Sequence, residues 1–181
     1  MGSGAFLISA SVRLALLCYA SCLILLLWNG RSRTLNAVTR TLWTAGALLF
    51  VVHVAAALHF THQWDHQAAI RSTAEQTKEL LGWAFGEGLY FSYLFVLLWL
   101  IDLVWVWFLP AAREQRSPWI HRLLHCYLFF IAFNGAVVFE AGVTRPAGIV
   151  ASLVITALLI RHWSRHQSKP ASAESPRPSD R

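Results

Sequence analysis

Histidine is the residue type in this chain best suited to chemistry, because neutral imidazole binds transition metals and haem iron and titrates near neutral pH. The eight histidines include three pairs with the spacing His-x-x-x-His, which places two imidazoles on one face of a helix. A metal ion or a cofactor can bridge such a pair. The pairs are His62 with His66, His121 with His125, and His162 with His166, and the other two histidines are His53 and His59.

The histidines at positions 59, 62 and 66 are predicted to form one stripe at the outer end of a membrane helix. At about 100° per residue they fall within about 60° of each other. His59 and His66 are separated by about 10 Å along the axis, so only two of the three can bind one ion. The sequence therefore predicts a metal or haem centre that uses His62 with His59 or His66, and a carboxylate from Glu87 or Glu140. The alternative is a hydrated, pH-sensitive loop anchor.

His53 is predicted to lie near the middle of the bilayer, about 17 Å along the helix from Leu42 at 1.5 Å per residue. Its helical neighbours include the small residues Gly46 and Ala56, which let another helix or a flat macrocycle come close. Two interpretations follow. The imidazole is hydrogen-bonded to a neighbouring helix, or it is an axial ligand of haem b.

Asp102 lies within an apolar segment, and a carboxylate inside the membrane requires a specific partner or a function. We expect it to face the bundle and to pair with Arg122, His121 or His125 near the inner end of the fourth span. The two roles open to it are a structural ion pair and a proton relay.

The start of the third predicted span contains the pattern Gly-x-x-x-Gly at Gly82 and Gly86, which is typical of close helix packing in membranes. Glu87 and Tyr90 follow it. The sequence predicts that these residues line a pocket that faces the outer histidines.

These residues must be positioned by membrane helices. The chain of 181 residues is 56% hydrophobic and 13% charged, with a mean hydropathy of +0.49. A span needs roughly 20 apolar residues. We predict an all-α, polytopic transmembrane helix bundle of about five spans, and a cleaved signal peptide is the alternative for the first of them. The predicted spans are 5–28, 42–60, 82–109, 119–139 and 146–163, with an outer loop over 61–81 and a disordered cytoplasmic tail over 164–181.

The orientation of the bundle is predicted from its basic residues, which accumulate in cytoplasmic segments. In the five-span arrangement, 11 of the 15 Lys and Arg residues lie on the same side of the membrane as the C-terminus. This bias predicts an outer N-terminus and a cytoplasmic C-terminus. The net charge of +6 then reflects basic residues that mark the cytoplasmic segments and attract anionic lipid. No nucleic-acid partner is expected.

Two family resemblances bear on the histidines. The segment from His53 to His62, His-Val-Ala-Ala-Ala-Leu-His-Phe-Thr-His, resembles a helix of the small bacterial di-haem cytochromes of the b561 type. That resemblance covers one helix and implies haem b ligands at His53, His59 and His125. The His-x-x-x-His pairs resemble the histidine boxes of membrane desaturases and hydroxylases. One predicted span separates the first pair from the second, which places them on opposite sides of the bilayer.

Three functional hypotheses follow for this protein of the cell membrane, which we expect in the bacterial inner membrane. The first is a small haem- or metal-binding subunit in membrane electron transfer, which is not an enzyme on its own. The second is a non-catalytic accessory or assembly subunit that binds partner subunits of a membrane complex. The third is a small proton-coupled transporter with Asp102 and His53 as relay groups.

The predicted orientation can be tested with topology reporters. A reporter fused after Arg181 is expected in the cytoplasm, and one inserted near Ser72 is expected outside, because basic residues are retained on the cytoplasmic side. Protease accessibility in intact and opened cells measures both. Two reporters on the same side would contradict the five-span arrangement.

Overall fold

The computed structural model describes residues 2–28, 35–139, 142 and 144–167, and over these ranges the chain is helical with no strand. Five of the helices are long and apolar enough to cross a membrane. The all-α prediction with five spans is therefore confirmed. By length and composition, the helices fit a multi-pass membrane protein in contact with lipid.

The first two spans form the most extensive helix pair. Helix α1 comprises Ser3–Trp28, and α2 comprises Ala37–Ala56 followed by a π-helical turn over Ala57–Thr61. The side chain of Asn36 accepts a hydrogen bond from the Thr39 amide at 2.9 Å and so caps the first turn of α2.

The outer loop contains a helix of its own. Helix α3 comprises His66–Leu81 and ends at Gly82, whose φ of +84° is the left-handed conformation typical of a helix end. Helix α4 comprises Gly88–Phe108, so it begins later than the predicted start at residue 82. The expected packing role of the Gly82 and Gly86 pair within a span is wrong. Gly86 instead lies against Ile70 of α3, where an added Cβ would come within 2.8 Å of a carbonyl oxygen.

The remaining helices surround this pair. The short helix α5 comprises Pro110–Gln115, and α6 comprises Pro118–Phe133 with a second π-helical turn over Asn134–Val138. Helix α7 comprises Thr144–Gln167, so residues 164–167, which were assigned to the tail, are helical. The tail beyond residue 167 lies outside the described residues.

An aromatic layer forms the centre of the bundle. It consists of Tyr19 from α1, Trp43 and Phe50 from α2, and Phe95 and Trp99 from α4. Ring centroids within this layer are 4.7 to 5.8 Å apart for neighbouring pairs. The close approach requires glycine at position 46 of α2, because a Cβ there would lie 2.9 Å from the Trp99 indole.

Candidate functional site

A buried ion network lies at the end of the bundle where α1 ends, α2 begins and α4 leads into α5. This is the end predicted to be cytoplasmic, and we call it the inner end. Asp102 of α4 is fully buried, and its carboxylate binds Arg113 at 3.3 Å and Arg116 at 2.7 Å. Both arginine side chains are only 6% exposed. Such a network is costly to desolvate, so its geometry must be well defined.

The network continues into α6 through two histidines. Arg116 donates a hydrogen bond to Nδ1 of His121 at 3.3 Å, and the His121 and His125 rings are 4.3 Å apart. The predicted sharing of a helix face by this histidine pair is therefore observed. His125 in turn lies 5.5 Å from the ring of Trp43, so the ion network meets the aromatic layer.

Several buried polar atoms at this junction have no hydrogen-bond partner among the described residues. Both ring nitrogens of His125 and the Nε of Arg116 belong to this set. So do the indole nitrogens of Trp43 and Trp99 and the hydroxyl of Tyr19. Buried polar groups are normally paired, so a cluster of exceptions is a candidate binding site. We call the five side chains that carry these atoms, together with His121, which is hydrogen-bonded to Arg116, the inner cluster. The five are Tyr19, Trp43, Trp99, Arg116 and His125.

The partners of Asp102 differ from those predicted. We expected a pair on the fourth span, but the two arginines come from α5 and the turn that follows it. Of the predicted partners, His121 joins the network through Arg116, and His125 follows through its ring contact with His121. Arg122 instead donates to the Pro118 carbonyl and lies over the Trp119 ring. The signal that sequence reasoning missed is Pro110, which starts a new helix and turns the chain back toward Asp102.

His53 is half-buried and bonded to a neighbouring helix. Its Nδ1–H donates to the Ile8 carbonyl of α1 at 2.9 Å, as the first of its two interpretations requires. A histidine that ligates a metal commonly donates its other ring N–H to a carbonyl in this way, so the bond is also compatible with ligation through Nε2.

The outer histidines do not form the predicted stripe. Helix α2 ends in its π turn at Thr61, and the chain then reverses at Gln63 and Trp64, whose backbones are left-handed. His66 therefore begins the separate helix α3.

Each outer histidine has its own surroundings. His59 accepts a hydrogen bond from the Trp64 indole at 3.3 Å, whereas His66 lies between Tyr90 and Tyr93, each at 3.4 Å. His62 is the residue that ends the π turn.

No group of three or more His, Cys, Asp or Glu side chains that could hold a metal occurs among the residues that the structure describes. Glu87 is exposed at the start of α4, and Glu140 lies outside the described residues. Metal and haem binding at the predicted positions thus remains a proposal.

Asp65 caps α3 near these histidines. Hydrogen bonds from the backbone amides of Ala68 and Gln67, with the nearby Arg71, hold the pKa of the Asp65 carboxyl below its usual value. Its contribution to helix stability is therefore present at neutral pH and is lost as the pH falls through that lowered pKa.

A groove of about 380 Å³ lies between α1, α6 and α7. Its lining is mostly apolar, with Arg13 and Thr144 toward the outer side and Ser152 further along α7. Tyr19 also lines it, so one side chain borders both the groove and the inner cluster. The volume is within the range of about 300–1,000 Å³ that is typical of small-molecule sites.

Comparisons with known proteins assign no family, since no family model, no curated protein and no solved structure matches the chain.

The ion network can be tested by substituting Asp102. Asp102→Leu is expected to destabilise the protein by roughly 3–5 kcal/mol, because it leaves two buried guanidinium groups without their carboxylate. Asp102→Lys should cost more, since it adds a third cation to the same space. The unfolding midpoint in detergent is the measurement. Arg122→Leu is the control and should have a small effect; equal tolerance of Leu and Lys at position 102 would mean that Asp102 faces water or headgroups.

Proposed function

We propose that the protein is a small proton-coupled membrane carrier and that the inner cluster with Asp102 is its coupling site. The observation that supports this is the unbroken series of ionisable side chains from Asp102 through Arg116 and His121 to His125, inside the bundle. Ionisable groups at membrane depth are rare and mark substrate and proton pathways. Imidazole is the one side chain of the series whose ordinary pKa lies near neutral pH, so we assign the transported proton to a histidine.

The charge arrangement gives each member of the series a distinct role. Asp102 is the fixed anion that holds Arg113 and Arg116 in place. Arg116 donates to His121 Nδ1, so the neutral form of His121 is the one that accepts this bond. Protonation of His121 would remove the acceptor and release Arg116, which couples the proton to the position of a guanidinium group.

A carrier also needs its site to open to one side at a time, and the aromatic layer provides the barrier. Tyr19 lines the groove and packs against Trp43 and Trp99, and Trp43 in turn contacts His125 of the series. His53 lies on the outer side of the same layer, with its ring 5.5 Å from Phe50. A relay between His53 and His125 would therefore require movement of these rings.

Several elements contribute titratable or charged groups around His125 and His121. Because any of these groups can shift the pH dependence of transport, the assay uses single substitutions at the histidines. The groups are Tyr19 and Cys22 of α1, Asp102 of α4, Arg113 and Arg116 of α5 and its following turn, and Cys126 of α6.

The proposal predicts solute-dependent proton movement in liposomes that contain the purified protein and a trapped pH-sensitive dye. Gradients of inorganic phosphate, gluconate, methylammonium and glucose, applied one at a time at clamped voltage, test anionic, cationic and neutral solutes. At least one gradient should move protons faster than in empty liposomes. His125→Phe should abolish that movement, because it removes the proton-binding group and keeps an aromatic ring.

His59→Phe is the matched control, since His59 is exposed at the outer end and should not carry the proton. Movement that is absent for all four solutes, or that survives in His125→Phe at the wild-type rate, would contradict the carrier.

A haem- or metal-binding subunit for electron transfer is the second candidate function. It is favoured by the bond between His53 Nδ1–H and the Ile8 carbonyl, which orients the imidazole as ligand histidines are oriented. If His53 ligates haem b, the purified protein should have a sharp Soret band, and His53→Ala should remove it. A wild-type protein that shows no Soret band and contains no stoichiometric metal by elemental analysis would exclude this candidate. The accessory-subunit hypothesis predicts neither the Soret band nor proton movement.

A further inference from the structure

All but one of the unpartnered atoms of the inner cluster can donate a hydrogen bond, the exception being the second ring nitrogen of neutral His125. The indole nitrogens of Trp43 and Trp99 and the Nε of Arg116 can only donate. The Tyr19 hydroxyl can donate, and neutral His125 always carries one N–H. A site built from these groups matches a ligand that is rich in acceptors.

Burial makes this match energetically significant. Trp43 and Trp99 are 1% exposed, Tyr19 is 2% exposed, and the Arg116 side chain is 6% exposed. An unsatisfied donor at such depth destabilises the protein, so a ligand that accepts from several of them recovers most of that free energy.

The side chains that carry these donors are also in contact with one another, with His121 between Arg116 and His125. Arg116 and His121 are 3.3 Å apart, and the successive ring centroids from His121 to His125, Trp43 and Trp99 are 4.3, 5.5 and 5.2 Å apart. Among the residues that the structure describes, Arg113 and Arg116 share the carboxylate of Asp102, so two cations meet one anion at this end of the series. A cation is disfavoured there, whereas an anion is attracted.

We propose that the inner cluster binds a small oxyanion, such as a phosphate or a sulfate group, with Arg116, His125 and Trp43 as its main donors. This inference rests on the proposed function and names the substrate class of its site. The oxyanion is either a free solute or the headgroup of an anionic lipid, since both present the same acceptor oxygens.

Anion binding explains why histidine and arginine occur together in this site. A proton on His125 adds a positive charge beside the anion, so proton and anion favour each other's binding. Thermodynamic linkage makes that effect reciprocal. The two species therefore bind to the cluster together, as proton-coupled uptake of an anion requires.

Binding can be measured without transport. The purified protein is placed in uncharged detergent, and inorganic phosphate or sulfate is titrated while the thermal unfolding midpoint and tryptophan fluorescence are recorded. We expect a saturable rise of the midpoint with either anion and none with sodium chloride at equal ionic strength, because a ligand stabilises the state that binds it. A parallel arm uses nanodiscs of phosphatidylcholine with and without phosphatidylglycerol.

Trp43→Phe and His125→Phe each remove a donor and keep a ring, so each should weaken binding about tenfold or more, as the loss of one charge-assisted hydrogen bond implies. Trp119→Phe is the matched control, because Trp119 is 73% exposed outside the cluster. Unchanged midpoints without anion show that the variants fold. If one of the two variants does not fold, the anion affinity of the other variant tests the inference.

Each outcome has a definite meaning. A response to free anions that Trp43→Phe weakens supports a solute site, and a response to phosphatidylglycerol alone that Trp43→Phe weakens supports a headgroup site. No response in either arm, or equal weakening by Trp43→Phe and Trp119→Phe, overturns the inference. Proton movement driven only by methylammonium or glucose would support the carrier and contradict the oxyanion site. Anion binding without proton movement would support the oxyanion site and contradict the carrier.

Discussion

The burial of one carboxylate constrains the inner half of this protein more than any other interaction. Asp102 has no access to solvent, so its charge must be compensated by the protein. The chain achieves this by starting a new helix at Pro110 directly after α4, which returns Arg113 and Arg116 to the carboxylate. The same turn leads into α6 and so brings His121 and His125 to the network.

The aromatic layer is the second constraint, and it depends on small residues as much as on large ones. Trp99 can lie against α2 only because position 46 has no side chain. The layer separates two chemically different halves. The outer half has an apolar groove and isolated histidines with separate hydrogen bonds, and the inner half has the connected charges. This division supports the assignment of the proposed coupling site to the inner half.

Hydropathy was sufficient to predict the five apolar helices, because a helix that crosses lipid needs a long apolar run whatever its tertiary contacts. The His121 and His125 pair was also predictable, since spacing alone determines a shared helix face. The partners of Asp102 could not be predicted, because they lie on and just after a six-residue helix whose direction cannot be read from hydrophobic periodicity. The prediction of an outer histidine stripe was wrong for a related reason. Its prediction assumed that α2 continues, whereas left-handed backbones at Gln63 and Trp64 end it.

The π-helical turns at the outer ends of α2 and α6 have a consequence for how this architecture can vary. In each turn the hydrogen bond spans five residues, from the His62 amide to Ala57 and from the Phe139 amide to Asn134. Such a turn holds one residue more than the α-helical ladder requires. Loss of that residue would restore an ordinary α turn and rotate everything beyond it by about 100°. Single-residue insertions and deletions at these two places would therefore reorient the outer loops while leaving the ion network of the inner half in register.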